Sequence, residues 1–314
     1  MQEIQSCLLC GSDETTQLRI ASTKELIGLY KKIVGNEIEQ EIPAGEELVL
    51  HTCNNCDLRF FTPTITGSER FYESLQEIDW YYLEEKTEYS IASKYIKGCD
   101  KVLEIGSGKG SFSKIISTNH YTGLEVSENA IQMAKNEGVN ITKETIETHA
   151  QNNVELYDIV CSFQVLEHVA NASNFLSYAT QCIKPGGLLI LSVPSADSFV
   201  SMGINNVLNL PPHHVTWWTD KALSNIEKFF NLELVSIHHE PLQDIHKQWY
   251  SQIISISALC NILRYKPHPV IDRRFGFLVI SKLSKYISLF IRNGLRDERI
   301  LPNGHSVISI YKKS

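Results

Sequence analysis

The 314-residue sequence has no stretch approaching the ~18 consecutive apolar residues of a membrane span. Its first residues, MQEIQSCLLC, lack a basic segment followed by an apolar run, so no secretory signal is expected and the expected compartment is the cytoplasm. Internal repeats and low-complexity tracts are absent. Positive charge is short: 29 Lys and Arg against 36 Asp and Glu give a net −7, which argues against a dedicated nucleic-acid binder, whose affinity rests on neutralising phosphates. With 43% hydrophobic and 21% charged residues, a disordered chain is excluded. A single core rarely grows past about 250–300 residues, so one main domain with a smaller attachment is expected.

Cysteine, by contrast, is present eight times. Four form the pairs Cys7-x-x-Cys10 and Cys53-x-x-Cys56. Each pair presents two thiolates from one turn, and two pairs complete a tetrahedral zinc site. Four thiolates leave no open position, so such a zinc is structural. The stretch 11–52 between the pairs is longer than a compact ribbon needs and implies an inserted lobe. Cys99, Cys161, Cys182 and Cys260 sit in or beside apolar runs and are expected to be buried, inert thiols.

From residue 98 the pattern is strand–helix alternation. Strands are predicted at 101–105, 121–126, 139–143, 158–163 and 188–193, with helices at 111–117, 128–137 and 172–183 and a turn at Lys184-Pro185-Gly186-Gly187. This predicts an α/β, doubly wound parallel sheet. A further strand is expected at 232–239 and a last one at 306–311, with a mainly helical insertion before it. The domain reading is a zinc-binding lobe at 1–67, a helical linker at 68–97, a cofactor-binding core at 98–240, a helical insertion or lid at 241–303 and a closing strand at 304–314. The linker's Trp80, Tyr81 and Tyr82 either pack in the core or close over a cofactor.

The chemistry concentrates where the first of these strands opens into a helix, at Glu104-Ile105-Gly106-Ser107-Gly108-Lys109-Gly110. Glycines there let the backbone approach a ligand at the carboxyl end of a strand. Glu104 would sit poorly beside a pyrophosphate and suits a cation. Glu125, at the end of the next strand, is placed to bind ribose hydroxyls. A ribose-bearing ligand with a cationic end is S-adenosylmethionine.

These residues resemble the class I methyltransferase family. Glu104-x-Gly106-x-Gly108-x-Gly110 matches its first motif, and Gly123-Leu124-Glu125-Val126-Ser127 its second. Asp158-Ile159-Val160 followed by Phe163-Gln164-Val165-Leu166-Glu167-His168-Val169 looks like its fourth-strand motif. The resemblance implies a Rossmann-like methyltransferase sheet. It implies that Gly106, Ser107 and Gly108 line the methionine end of the cofactor, with Gly110, Val126 and Phe163 beside it. Glu125 would hold the ribose, Ile146 and Glu147 would lie near the adenine, and Gln164 would border the reacting methyl group. Some relatives hold magnesium at Glu167-His168, but with a further acid where this chain has Gln164. A structural role at the start of a helix is the better reading.

The four-cysteine lobe before such a core is similar to a group of sugar methyltransferases acting on nucleotide-linked deoxysugars or in polysaccharide pathways. A second match is Pro211-Pro212-His213-His214-Val215-Thr216-Trp217-Trp218-Thr219. The resemblance implies that His214 is a general base, His213 being the weaker candidate. Trp217 and Trp218 either exclude water and stack on the acceptor or brace the loop.

Residues 264–299 carry nine Lys or Arg against three acids, +6 overall, which leaves −13 on the rest of the chain. That asymmetry suggests an anionic partner: a phosphate-bearing small molecule or glycan substrate, or peripheral contact with a membrane. The insertion is expected beside the cofactor cleft, with Arg273 and Arg274 meeting the acceptor. The expected activity is methyl transfer from S-adenosylmethionine to a sugar. Rival readings are an RNA methyltransferase with a zinc lobe, opposed by the acidic balance, and a non-catalytic scaffold, opposed by the intact glycine turn.

Overall fold

The computed structural model describes residues 5–43, 45–76, 87–296 and 301–314. Trp80, Tyr81 and Tyr82 lie outside these residues. The chain opens on the Cys7–Cys10 turn, then β1 (Thr15–Ser22) and α1 (Thr23–Val34). Ser22 and Glu25 form a reciprocal cap: Ser22 Oγ accepts from Glu25 N at 3.3 Å, and the Glu25 carboxylate accepts from Ser22 N at 3.0 Å. Strands β2 (Glu47–Cys53) and β3 (Arg59–Thr62) flank the second cysteine turn. Helices α2 (Glu69–Gln76) and α3 (Thr87–Ala92) stand where one helical linker was expected.

The core follows as β4 (Lys101–Ile105), β5 (His120–Glu125), α4 (Glu128–Asn136), β6 (Ile141–Lys143), α5 (Ile146–Ala150), β7 (Tyr157–Phe163), α6 (Ala172–Cys182) and β8 (Ile183–Pro194). The expected helix after β4 is reduced to a 3-10 turn at Ser111–Lys114. The Lys184–Gly187 turn is instead taken into the long strand β8. Then come β9 (Thr216–Trp217), α7 (Asp220–Asn225), β10 (Leu232–Pro241), α8 (Asp244–Ile262), α9 (Phe275–Gly294) and β11 (Asn303–Lys313).

The large sheet runs β10-β11-β8-β7-β4-β5-β6. Strands β6, β5, β4, β7 and β8 are parallel, but β11 is antiparallel to both β8 and β10. The predicted parallel sheet is present in these five strands, and the antiparallel β11 makes the whole sheet mixed. The last strand returns after the α8–α9 hairpin and slots between β8 and β10.

Period-two alternation divides the sheet into two cores. Leu103, Ile105, Val160, Leu189, Leu191 and Tyr311 face one core with α6, α7 and the cysteine turns. Val102, Ile159, Cys161, Ile190, Ile308 and Ile310 face the other, with α3 and Phe112. Cys7, Cys53, Cys56, Leu58 and Phe60 belong to the first core. The cysteine lobe thus shares the main core across the boundary expected at residue 67. Ser173 N donates to Leu8 O at 3.0 Å, and Asn225 Nδ2 to Cys56 O at 3.2 Å. A second sheet, β1-β2-β3-β9, joins the lobe to the segment that carries the histidine pair.

Candidate active site

The turn after β4 is built by backbone bonds: Gly106 N and Ser107 N both donate to Leu124 O at 2.9 Å. Gly106 has φ +72°, and a Cβ there would stand 2.4 Å from Val165 Cγ2. Gly108 has φ +53°, and no atom lies within 4 Å of where its Cβ would point. Its missing side chain leaves open space that a ligand can fill. Gly108 N donates to Glu125 Oε2 at 2.8 Å, while Val126 N and Ser127 N donate to Glu125 Oε1 at 2.7 and 2.9 Å. Three amides fix the carboxylate, and a carboxylate offers about four acceptor positions, so acceptor capacity remains for hydroxyls.

Beside this turn lies a cleft of about 1220 Å³. Single small-molecule sites occupy about 300–1,000 Å³, so there is room for a cofactor and an acceptor end to end. Of the residues expected at the cofactor, Gly106, Ser107, Gly108, Glu125, Val126, Phe163 and Gln164 line it. Glu104, Gly110, Ile146 and Glu147 do not. Strand alternation turns Glu104 into the second core, where its buried carboxylate accepts the Tyr121 hydroxyl proton. Gly110 packs on Val139, 2.7 Å from its would-be Cβ, and Ile146 fills the first core. Ser127 and Ala130 form the wall there instead.

Gln164 sits at φ +57°, a left-handed conformation costing a non-glycine residue on the order of 1 kcal/mol. The surroundings hold it. Gln164 N donates to Ser192 O at 2.8 Å, and Nε2 to Ser192 Oγ at 3.0 Å and Ser306 Oγ at 3.2 Å.

His213 and His214 both reach the cleft, and the 3-10 turn at Leu166–His168 brings His168 to join them. One ring nitrogen of each of the three lies within 4.8 Å of the others. His213 Nδ1 donates to Leu208 O at 2.7 Å, and His168 Nδ1 donates to His213 O. His214 Nδ1 donates to the side-chain oxygen of Asn209 at 3.0 Å. A carbonyl or amide oxygen can only accept here, so each proton sits on Nδ1 and each Nε2 keeps its lone pair. Burial, with the neighbouring imidazoles, holds His213 and His214 well below the usual histidine range, and burial lowers His168 to about 4. All three are neutral near pH 7.

Trp217 and Trp218 do not line the cleft. Trp217 Nε1 donates to Asn209 O at 2.8 Å and Trp218 Nε1 to Thr216 Oγ1 at 3.0 Å, so the pair braces the histidine loop. Sequence reasoning missed Asn209, Glu240 and Trp249 on the cleft wall. Burial and the nearby Glu88 carboxylate raise Glu240 to about 7, and its Oε1 accepts from Ser306 N at 2.9 Å. Isolated polar residues in a strand or loop carry no periodic signal that would have exposed them.

The methyltransferase domain family matches residues 75–237, just over half of the sequence. The chain belongs to this family. A SAM-dependent methyltransferase from Archaeoglobus fulgidus shares the fold, with a TM-score of 0.51 at 19% identity over 77% of this chain and all of that one. Ubiquinone biosynthesis O-methyltransferases are similar in sequence. That of Photorhabdus laumondii is 27% identical over 46% of this chain and 68% of its own length, and that of Serratia proteamaculans 32% over 46% and 68%. The chain spans 64% of the one from Pectobacterium carotovorum, at 28% identity. The protein is a SAM-dependent methyltransferase with a Rossmann-like mixed sheet.

In this methyltransferase the four paired cysteines converge. Cys7 Sγ lies 3.5 Å from Cys56 Sγ and Cys10 Sγ 3.6 Å from Cys53 Sγ, with all four within 4.8 Å. A tetrahedral zinc with Zn–S bonds of about 2.3 Å sets its sulfurs about 3.8 Å apart, so the cluster has the size zinc requires. The Cys7–Cys56 hydrogen bond draws the Cys7 thiol down to about 5 and pushes Cys56 up. Cys161, Cys182 and Cys260 are buried as expected, but Cys99 is exposed because the turn before β4 carries it to the surface.

The insertion does flank the cleft. Helix α8 contributes Ile245, His246, Trp249, Gln252, Ile253 and Ile256 to its wall. Arg273 and Arg274 are not there. Arg274 Nη2 donates to the buried Asp272 carboxylate at 2.6 Å, and Arg273 Nη1 donates to Glu25 O at 3.4 Å. They fasten the hairpin to its own loop and to α1, which corrects their expected acceptor role. Among the described residues no helix is long and apolar enough to cross a membrane.

Proposed function

We propose that the enzyme methylates a hydroxyl of a sugar, carried on a nucleotide or in a glycan precursor, with His214 as the proton acceptor. The carrying observation is the Nε2 lone pair of His214 in the cleft, fixed by the Nδ1 bond to Asn209. The amides of Asn206, Gln243 and Gln252 and the rings of Tyr72 and Trp249 line the same cleft. Amides bond hydroxyls in both directions, and an aromatic face covers the apolar face of a sugar ring.

The cofactor, when bound, supplies an electrophilic methyl group. The backbone at Gly106–Gly108 and the Glu125 carboxylate are the residues that would hold it. His214 Nε2 would take the hydroxyl proton as the acceptor oxygen gains the methyl group, the C–S bond breaking so that the sulfur leaves as a neutral thioether. We also infer that Cys7, Cys10, Cys53 and Cys56 hold one structural Zn²⁺.

A second reading, a phenolic acceptor of quinol type, is favoured by the apolar Ile245, Ile253 and Ile256 on the α8 wall and by the names of the sequence relatives. Labelled methyl transfer from S-adenosylmethionine to a panel of nucleotide-linked deoxysugars and catechols separates the two. Label entering the sugars alone supports the proposal; label entering only the catechols replaces it.

A further inference from the structure

The α8–α9 hairpin has one face that none of the described residues covers. Helix α9 packs on α8 through Phe277, Ile280, Ser284 and Ser288, and Gln248 Nε2 donates to Ser288 Oγ at 2.8 Å. Its opposite side carries Phe275, Val279, Leu283, Tyr286 and Phe290, whose spacing of four, four, three and four makes one stripe along the helix. Phe275 is 82% exposed, Phe290 80% and Tyr286 71%, and Ile262 at the hairpin tip is 76% exposed. Soluble surfaces scatter such residues singly; a contiguous run marks an interaction site.

Charge identifies the occupant. Residues 275–294 contain Lys282, Lys285 and Arg292 and no acid. All three cations are exposed, Lys282 within the apolar stripe and the other two along its edge. Asp272, the nearest acid before α9, is taken by Arg274. A second copy of the same face would oppose these cations to themselves. An anionic lipid surface accepts both the rings and the lysines. The helix lies flat rather than inserting, since it is not apolar enough to span. With +6 on residues 264–299 and −13 elsewhere, the same surface repels the remainder of the chain and orients the hairpin downward.

We propose that α9, supported by α8, is a peripheral docking surface for an anionic lipid bilayer. Because α8 is also a wall of the cleft, docking places the cleft beside the lipid surface. The proposal concerns binding alone and does not depend on which acceptor is methylated.

Flotation of the full chain with vesicles tests it. Vesicles of phosphatidylcholine mixed with phosphatidylglycerol should carry the protein, and pure phosphatidylcholine vesicles should carry at least about tenfold less, with added salt erasing the difference. Lys282→Ala with Lys285→Ala should lower partitioning about fivefold per cation removed. Phe275→Ser with Phe290→Ser should lower it about tenfold or more. These side chains are exposed, and unchanged S-adenosylhomocysteine binding in each variant reports an intact fold; Lys282→Gln serves if a double variant loses it. No binding to mixed vesicles, equal binding to both vesicle types, or variants that bind like wild type would overturn the proposal. So would a wild-type dimer, dissolved by the Phe substitutions, that ignores vesicles.

Discussion

Glu125 and His214 divide the work of the site between binding and proton transfer, and single substitutions separate them. Glu125→Ala removes the carboxylate that three backbone amides orient toward the cleft. Calorimetry with S-adenosylhomocysteine should show affinity weakened by about 1.5–3 kcal/mol, the scale of a hydrogen bond to a charged group. His214→Ala leaves that end untouched. It should lower kcat by about 10²–10⁴-fold with cofactor affinity near wild type. His213→Ala should do less, because the His213 Nδ1 bond to Leu208 O gives that ring a bracing role. Equal losses from both histidines in steady-state kinetics would remove the distinction.

At the scale of elements, the histidine loop is tied to the second cysteine turn through β3 and through Thr219 Oγ1, which donates to Asp57 Oδ2 at 2.7 Å. Strand β3 leaves the second cysteine turn and pairs with β9, Phe60 opposite Thr216 and Arg59 opposite Trp217. Phe61 N donates to Val215 O at 3.0 Å, and Val215 N donates to Glu167 O at 2.9 Å. One hydrogen-bonded path therefore runs from Cys56 to His214 and to His168. If the thiolates hold zinc, chelation should loosen this path before it reaches the glycine turn. A zinc chelator is expected to lower Tm and kcat together while S-adenosylhomocysteine affinity changes by less than about tenfold, and re-added zinc should restore both. Cofactor affinity that collapses along with turnover would show that the elements are not separable in this way.

For the whole molecule, the buried imidazoles set a lower limit in pH. An unfolded histidine takes its proton near 6.5, whereas folded His168 resists until about 4, so the unfolded state binds more protons between these values. Stability is therefore lost as pH falls through that window, by up to on the order of 3 kcal/mol for His168, and His213 and His214 act in the same direction. Glu240 acts oppositely: unfolded it ionises near 4.5, folded near 7, so its contribution falls as pH rises across that range. Urea unfolding at pH 7 and pH 5 should show His168→Gln less acid-sensitive than the wild type. Equal acid sensitivity of the two proteins would refute the assignment of the limit to this ring.

The glycine turn, Glu125, Gln164 and both cysteine pairs were legible in the sequence because each is a local device. A tight turn needs glycine within a few residues, and a metal knuckle needs two thiols on one turn, so spacing alone carries the information. The strands of the core were legible for the same reason, since alternation records which face is buried. Only tertiary structure could decide that Glu104 faces the second core, that Arg274 is spent on Asp272, and that His168 joins a histidine pair some forty-five positions away. It alone inserted β11 between β8 and β10 and merged the cysteine lobe with the main core. These depend on which distant groups desolvate one another, and the cost of burying a charge or a polar atom is fixed by its neighbours in space, which sequence order does not record.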